Sequence, residues 1–374
     1  MSGFTAKLSV RSVLAAAALT MTVAASAAQE LKELNFGVLS TEASSNQKKN
    51  WEPFVAQMSK ALGMKVNAFY ASDYAGVIEA MRFNKVHLAW FGNKSAMEAV
   101  DRSNGEVFAQ TISRDGSTGY YAHLIVHTDS PYHKLEDVLK CDKTLDFGIG
   151  DPNSTSGFLV PTSYVFAARD IEPRNCFKTV RNANHQANSM AVANKQVTLA
   201  TNNSEDLQRM EKTAPEARQK IRIIWTSPLI PLDPLVWRKD IDPTLKSKIY
   251  TFLMNYGRSG TEEEMKASRE VLASLLWSPF NPSSDRQLLP IRKLEASRNL
   301  MKVQADEKLS ADDKAKKIAE IKAELAKIEQ MEKQAETDGF QARVNAFIAA
   351  DKAGKSDDVK RMIGEFAAGF ASTN

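Results

Sequence analysis

Cysteine is nearly absent from this chain, and its scarcity excludes a good deal. Cys141 and Cys176 are too few for a disulfide framework and lack metal-ligand spacing. The histidines, His87, His123, His127, His133 and His185, do not cluster as ligands, which removes metal-assisted hydrolysis from the simple readings. A Gly-x-Ser-x-Gly elbow is missing, so a hydrolase serine has no local signature. After residue 27 no apolar run approaches the ~20 residues of a membrane span. Charge of one sign is also lacking: 49 basic and 45 acidic residues leave a net +4, without the concentrated basic field that nucleic acid requires.

What is present begins with a leader. Lys7 and Arg11 precede an apolar, Ala-rich stretch from Val13 to Ala25, closed by the small-x-small site Ala25-Ser26-Ala27. Residues 1–27 therefore read as a signal peptide, with the mature chain starting at Ala28 or Gln29 and no cysteine there to carry a lipid. An oxidising destination allows Cys141 and Cys176 to pair. Each lies just before one of two consecutive strands expected to be parallel neighbours, Leu145–Gly150 and Phe177–Val180, so a disulfide is expected.

Strand-like and amphipathic helical runs alternate in two series. Leu34–Leu39, Lys65–Tyr70, His87–Phe91 and Val107–Ile112 are the strands of the first. The second begins at Tyr120–Val126 and continues through Leu145–Gly150, Phe177–Val180, Val197–Ala200 and Ile221–Trp225. Repeated β-α-β predicts mostly parallel sheets with sites at the carboxyl ends of strands. The chain crosses between two lobes near residues 120–127 and again near 228–237. Asp306 to Glu336 is different: it has no glycine or proline, and Ala311, Ala315, Ile318, Ile321, Leu325 and Ile328 recur every three or four residues. This tail reads either as a helical hairpin burying its own stripe or as a dimerisation arm, dispensable for binding in both cases.

The most informative stretch is Asp151-Pro152-Asn153-Ser154-Thr155-Ser156-Gly157-Phe158, between a strand and a helix. A helix start carries unpaired N–H groups and partial positive charge, and Ser154, Thr155 and Ser156 can add hydroxyls for an anion or simply cap the helix. Pro161 removes an N–H inside that helix and predicts a kink. Other junctions offer Tyr74, Tyr120, His185, Glu205 and Asp233, each with an ordinary structural explanation, but all at carboxyl ends of strands or at lobe crossings.

In wording the chain resembles the phosphonate-binding periplasmic proteins of bacterial ABC importers. The resemblance rests on Asp73-Tyr74-Ala75-Gly76, Met81 to Lys85, Asn93 to Asp101, Gly150 to Pro161, Ala191 to Val197, Thr201-Asn202-Asn203 and Ser227 to Pro231, and spans roughly residues 32–300. It implies a two-lobed type II binding-protein fold of the α/β class, each lobe a mostly parallel sheet flanked by helices, with an α-helical C-terminal extension. Lobe 1 would be residues 28–122 plus 233–300, lobe 2 residues 123–232 and the extension 301–374. It also implies that Ser154, Thr155 and Ser156 receive a phosphonate with His185 and Tyr74. Glu205 and Asp233 would hold the ammonium of a 2-aminoethylphosphonate-like guest, with Tyr120 lining the cleft. The partner implied is a membrane permease, a second copy of the chain being expected only if the tail is a dimerisation arm; the location is the periplasm, with no cofactor. The sequence departs from the family at Tyr121, where tryptophan is expected, and at Asn184, where glycine is. Alternatives are a receptor for phosphate, phosphite or phosphate esters, or a ligand-sensing subunit. A hydrolase using Ser154, His185 and Asp233 is the least supported.

Overall fold

A computed structural model of the chain describes residues 31–371. The expected signal peptide and its cleavage point lie outside the described residues. The first lobe starts with β1 (Glu33–Val38), α1 (Ser44–Leu62), β2 (Lys65–Tyr70), α2 (Tyr74–Arg82), β3 (Leu88–Trp90), α3 (Asn93–Arg102) and β4 (Gly105–Ser113). Through β5 (Gly119–Tyr120) the chain passes into the second lobe: β6 (Ala122–His127), β7 (Asp146–Ile149), a helix over residues 155–169 (the site helix), and a short turn α4 (Pro173–Cys176). There follow β8 (Thr179–Asn182), α5 (His185–Ala193), β9 (Leu199–Asn203), α6 (Ser204–Thr213), α7 (Pro215–Gln219) and β10 (Ile221–Thr226). β11 (Ile230–Pro231) brings it back to β12 (Pro234–Arg238), α8 (Pro243–Asn255), α9 (Glu262–Ser274) and β13 (Trp277–Pro282). Four helices close the chain: α10 (Leu289–Ala305), α11 (Ala311–Thr337), α12 (Phe340–Lys352) and α13 (Ser356–Ala371).

The two crossings pair with each other. β5 and β11 run antiparallel, with Tyr120 opposite Ile230 and Gly119 opposite Pro231, and form the hinge. Each lobe has its own sheet, in order β13-β4-β12-β3-β1-β2 and β10-β6-β9-β7-β8. The expectation of mostly parallel sheets holds for strand direction: β1 to β4 run one way in the first sheet and β7 to β10 in the second, with β12, β13 and β6 reversed. β1 pairs β2 and β3 in parallel, and β7 pairs β8 and β9 in parallel, but β12 and β6 are antiparallel to both their neighbours. The cause is the crossing itself. Strands of β-α-β units end at the cleft, whereas a strand arriving from the other lobe starts there and must run the opposite way. The first crossing is complete by Ala122, which already pairs with Asn203 in the second sheet.

Cores follow this division. Lobe 1 is centred on Phe36, Phe54, Trp51, Trp237 and Phe280, all buried; lobe 2 on Phe147, Phe166, Phe177 and Leu199. The expected strand Phe177–Val180 is displaced to Thr179–Asn182 because Phe177 closes the α4 turn, its amide donating to the Pro173 carbonyl at 3.0 Å. Cys141 and Cys176 are joined by a disulfide beside the paired strands β7 and β8.

The tail is neither self-contained nor peripheral. Ile321, Leu325 and Ile328 of its apolar stripe pack on Leu289 and Ala296 of α10, which uses much of that stripe within the chain. Phe347, Val359, Ile363 and Ala367 enter the core of lobe 1, and Phe370 stacks edge-on against Trp237 at 4.9 Å. The separate extension expected over 301–374 is thus, from α12 onward, part of lobe 1. Sequence periodicity detects an amphipathic face but not which surface covers it.

Phe347 is fully buried, with the Arg258 guanidinium 5.0 Å from its ring centre. Phe347→Ala is expected to lower the unfolding free energy by roughly 3–5 kcal/mol, read from urea denaturation.

Candidate ligand-binding site

Pro161 decides how the site helix sits. In a regular α-helix its N–H would bond to the Gly157 carbonyl; proline has none. The helix responds by widening: Leu159 and Val160 donate to carbonyls five residues back, Ser154 and Thr155, and a second π-helical turn covers Thr162–Phe166. The expected kink is therefore a π-helical expansion on both sides of the proline. The released Gly157 carbonyl accepts instead from the Gly150 amide at 2.9 Å and from the Thr201 hydroxyl at 2.7 Å. These two bonds fasten the first turn of the helix to the ends of β7 and β9.

The three hydroxyls at that turn are each engaged as acceptors. Ser154 Oγ receives the Gly157 amide at 3.0 Å, Ser156 Oγ receives Asn203 Nδ2 at 3.1 Å, and Thr155 Oγ1 receives the Lys94 amide of lobe 1 at 2.8 Å. A hydroxyl that already accepts keeps its one hydrogen to donate. Ser154, Thr155 and Ser156 are thus oriented as donors, with the unpaired amides of a helix start behind them. His185 completes this end. Asn203 Oδ1 caps α6 at the Asp206 amide, so Nδ2 must face His185 Nε2, 3.2 Å away. In the absence of an anion Nε2 is accordingly an acceptor, in keeping with burial, which depresses its pKa. An oxyanion beside it would favour the protonated ring, which donates.

The opposite wall is acidic. Asp233 sits at the start of β12 and Glu205 in the first turn of α6. Burial pushes the Glu205 carboxyl up to about 7, against the pull of Arg209. Burial, then the charge of Glu205, carries Asp233 well above the carboxylate range, although Trp90 and Tyr120 nearby favour its charged form. Asp233 Oδ1 and Trp90 Nε1 are both buried without a hydrogen-bond partner. A carbon added at Gly92 would lie 3.3 Å from Thr155 Oγ1 and 3.8 Å from Asp233 Oδ1, so the hydroxyl wall and the acidic wall both border the Gly92 backbone.

All eight binding residues expected from sequence, Tyr74, Tyr120, Ser154, Thr155, Ser156, His185, Glu205 and Asp233, line a single cavity of about 30 Å3 between the lobes. Tyr74 and Tyr120 are buried there, their phenol pKa values raised chiefly by burial. Sequence reasoning missed Trp90, Trp277, Asn203 and Arg209, which also line it. Three had a signal: Trp90 ends a strand, Asn203 precedes a helix, and Arg209 lies one turn beyond Glu205. Trp277 had none, since it starts a strand far along the chain. Tyr121 is 40% exposed and outside the lining, and Asn184 caps α5 at the Ala187 amide, so neither departure alters the wall. A catalytic triad is not assembled. Ser154 Oγ is 3.5 Å from His185 Nε2, and His185 Nδ1 has no hydrogen-bond partner to orient it.

Residues 36–288 match the family described as ABC transporter, phosphonate, periplasmic substrate-binding protein. The chain is 52% identical over 312 residues to the phosphonates-binding periplasmic protein of Escherichia coli, covering 83% of this chain and 90% of that one. A crystal structure of the binding component of an ABC phosphonate transporter from Pseudomonas aeruginosa superposes with a TM-score of 0.78 at 48% identity, over 82% of this chain and 99% of that one. A Prochlorococcus marinus protein solved in complex with methylphosphonate shares the fold, with a TM-score of 0.63 at 20% identity, over 72% of this chain and 98% of that one.

Gly150 and Gly157 touch so closely that a side chain at Gly150 would place its first carbon 2.5 Å from Gly157 Cα. Backbone cannot step aside as a side-chain tip can, so Gly150→Ala should unseat the site helix. The expected loss is roughly 1–3 kcal/mol of stability in urea denaturation, within the range for overpacking.

Proposed function

The chain belongs to the periplasmic substrate-binding proteins of phosphonate ABC transporters, and from that premise we propose that its guest is a zwitterionic phosphonate of the 2-aminoethylphosphonate kind. The phosphonate is received by Ser154, Thr155, Ser156 and His185 with Tyr74, and the ammonium by Glu205 and Asp233, with Tyr120 as a side wall. The observation that carries this reading is the pairing of oriented donors at one end of a small cavity with two carboxylates, Asp233 buried and Glu205 half-buried, at the other. Hydroxyls and helix amides bind an oxyanion through many short bonds without lysine or arginine. Two carboxylates that burial penalises are stabilised by a cation and by little else of that size. Closing the lobes around a guest that bridges both walls gives the closed form its differential affinity, and the closed form is what the permease receives.

Calorimetric titration of ligand-stripped protein tests the ammonium assignment. Glu205→Gln and Asp233→Asn are each expected to weaken 2-aminoethylphosphonate about 10- to 100-fold, the worth of a charged hydrogen bond, and to affect methylphosphonate far less. Ser154→Ala should weaken both guests together, since both present the oxyanion. Equal losses for the two guests in the carboxyl variants would remove the ammonium role and leave the phosphonate end intact.

Proton uptake gives an independent check. In the open cleft both carboxyls are hydrated, whereas closure around a guest without a cation leaves burial to raise both, Glu205 to about 7 and Asp233 well above the carboxylate range. A group whose pKa rises on closure gains a proton, so affinity for methylphosphonate should fall as pH climbs from the carboxylate range through 7. An ammonium offsets that rise. Titrations in buffers of different ionisation enthalpy should therefore show greater proton uptake for methylphosphonate than for 2-aminoethylphosphonate. The difference cancels what His185 contributes, once each guest's own phosphonate ionisation, which the ammonium shifts, has been measured free in the same buffers and subtracted.

A further inference from the structure

Closure makes contacts between the lobes themselves, two of them through side chains outside the cavity lining. Three side chains of lobe 2 reach amides at the starts of three lobe 1 helices. Gln186 Oε1 accepts from Ala43 N at 2.8 Å at the start of α1, Asp151 Oδ2 from Tyr74 N at 3.2 Å at the start of α2, and Thr155 Oγ1 from Lys94 N at 2.8 Å in the first turn of α3. Two of these helices begin on residues that cannot cap themselves. The N-cap positions are Ala43 for α1 and Gly92 for α3, neither of which makes a side-chain cap bond. Helix starts with Ser, Thr, Asp or Asn at that position are self-sufficient, as α2, α5, α6 and α8 are here through Asp73, Asn184, Asn203 and Asp242.

We propose that Asp151, Thr155 and Gln186 cap the lobe 1 helices across the cleft, and that this capping in trans sets the closure equilibrium whatever guest is bound. While the lobes are apart, water serves those amides. On closure lobe 2 supplies the acceptors, and each amide sits at the positive end of a helix, which strengthens the bond. Gln186 and Asp151 lie outside the cavity lining, so their contribution does not depend on guest chemistry. A fourth link acts in the same sense: Arg209 Nε of lobe 2 lies 3.6 Å from Glu42 Oε1 of lobe 1. The carboxylates of the cavity oppose closure while it is empty. Affinity is then the product of two separable parts: a uniform one from trans capping and a selective one from the cavity walls.

The inference rests on the cleft being the phosphonate site, and wild-type protein that bound neither phosphonate would refute that reading before any variant was made. Gln186→Ala is the cleanest test, since the only hydrogen bond of its side chain among those described is the one to Ala43. Affinities for methylphosphonate and 2-aminoethylphosphonate should fall by the same factor, about 2- to 12-fold for one hydrogen bond. The loss should appear as faster dissociation in stopped-flow measurements, and the melting temperature of the ligand-free protein should not change. Asp151→Asn, which keeps one acceptor oxygen for its own turn, should repeat the pattern. Unchanged affinities would overturn the proposal, as would a loss confined to one guest. A ligand-free melting temperature lowered as far as the liganded one would also overturn it, by showing that the bond belongs to the resting fold.

Discussion

The arrangement depends on one carbonyl oxygen, that of Gly157. Pro161 deprives it of its helical partner, and it turns to the Gly150 amide and the Thr201 hydroxyl. Through those two bonds a helix start is held against the ends of two parallel strands, and the donor end of the cavity has a fixed place. Ser154, Thr155 and Ser156 owe their orientation to this seat. So does the closure contact between Thr155 and Lys94, because a helix that rode higher on the sheet could not reach the other lobe. A substitution usually expected to break a helix here releases the acceptor that locates it.

Selectivity and closure use opposite electrostatic logic. The hydroxyl end is neutral and costs little to bury; on the proposed reading it would take any small oxyanion. The acidic end is expensive to bury, and burial raises the pKa of both its carboxyls. On the same reading a guest carrying a cation would remove that penalty, while the proposed links outside the cavity would favour closure regardless of the guest. A binding protein for transport benefits from such a balance: affinity must be high enough to capture the solute yet leave it able to depart.

Much of this was legible in the sequence because the site occupies strand-to-helix junctions, where hydroxyl, tyrosyl and carboxyl residues interrupt apolar patterns. Ser154 to Ser156, Tyr74, His185, Glu205 and Asp233 stand out in that way, and one cavity unites them. Trp277 did not stand out, because a tryptophan starting a strand has the same local signature whether it lines a core or a cavity. The reversal of β6 and β12 within mostly parallel sheets was not legible, since periodicity carries no information on which neighbour a strand joins. The tail was misjudged for a related reason. A stripe of alanine, isoleucine and leucine identifies a helix with something to bury, and only the fold reveals that Phe347, Ile363 and Phe370 complete the core of lobe 1.

That last feature bears on the order in which the molecule can be assembled. Lobe 2 is a continuous run of chain from β6 to β10, and all of its strands are available once Thr226 has been made. Lobe 1 is interleaved: its first strand is laid down at Glu33, its central β12 more than two hundred positions later, and the cover over Trp237 comes with the last helix. No portion of the nascent chain short of α13 holds a finished lobe 1. Lobe 2 can therefore settle while lobe 1 still waits for α13, and the core around Trp237 is the later of the two to close.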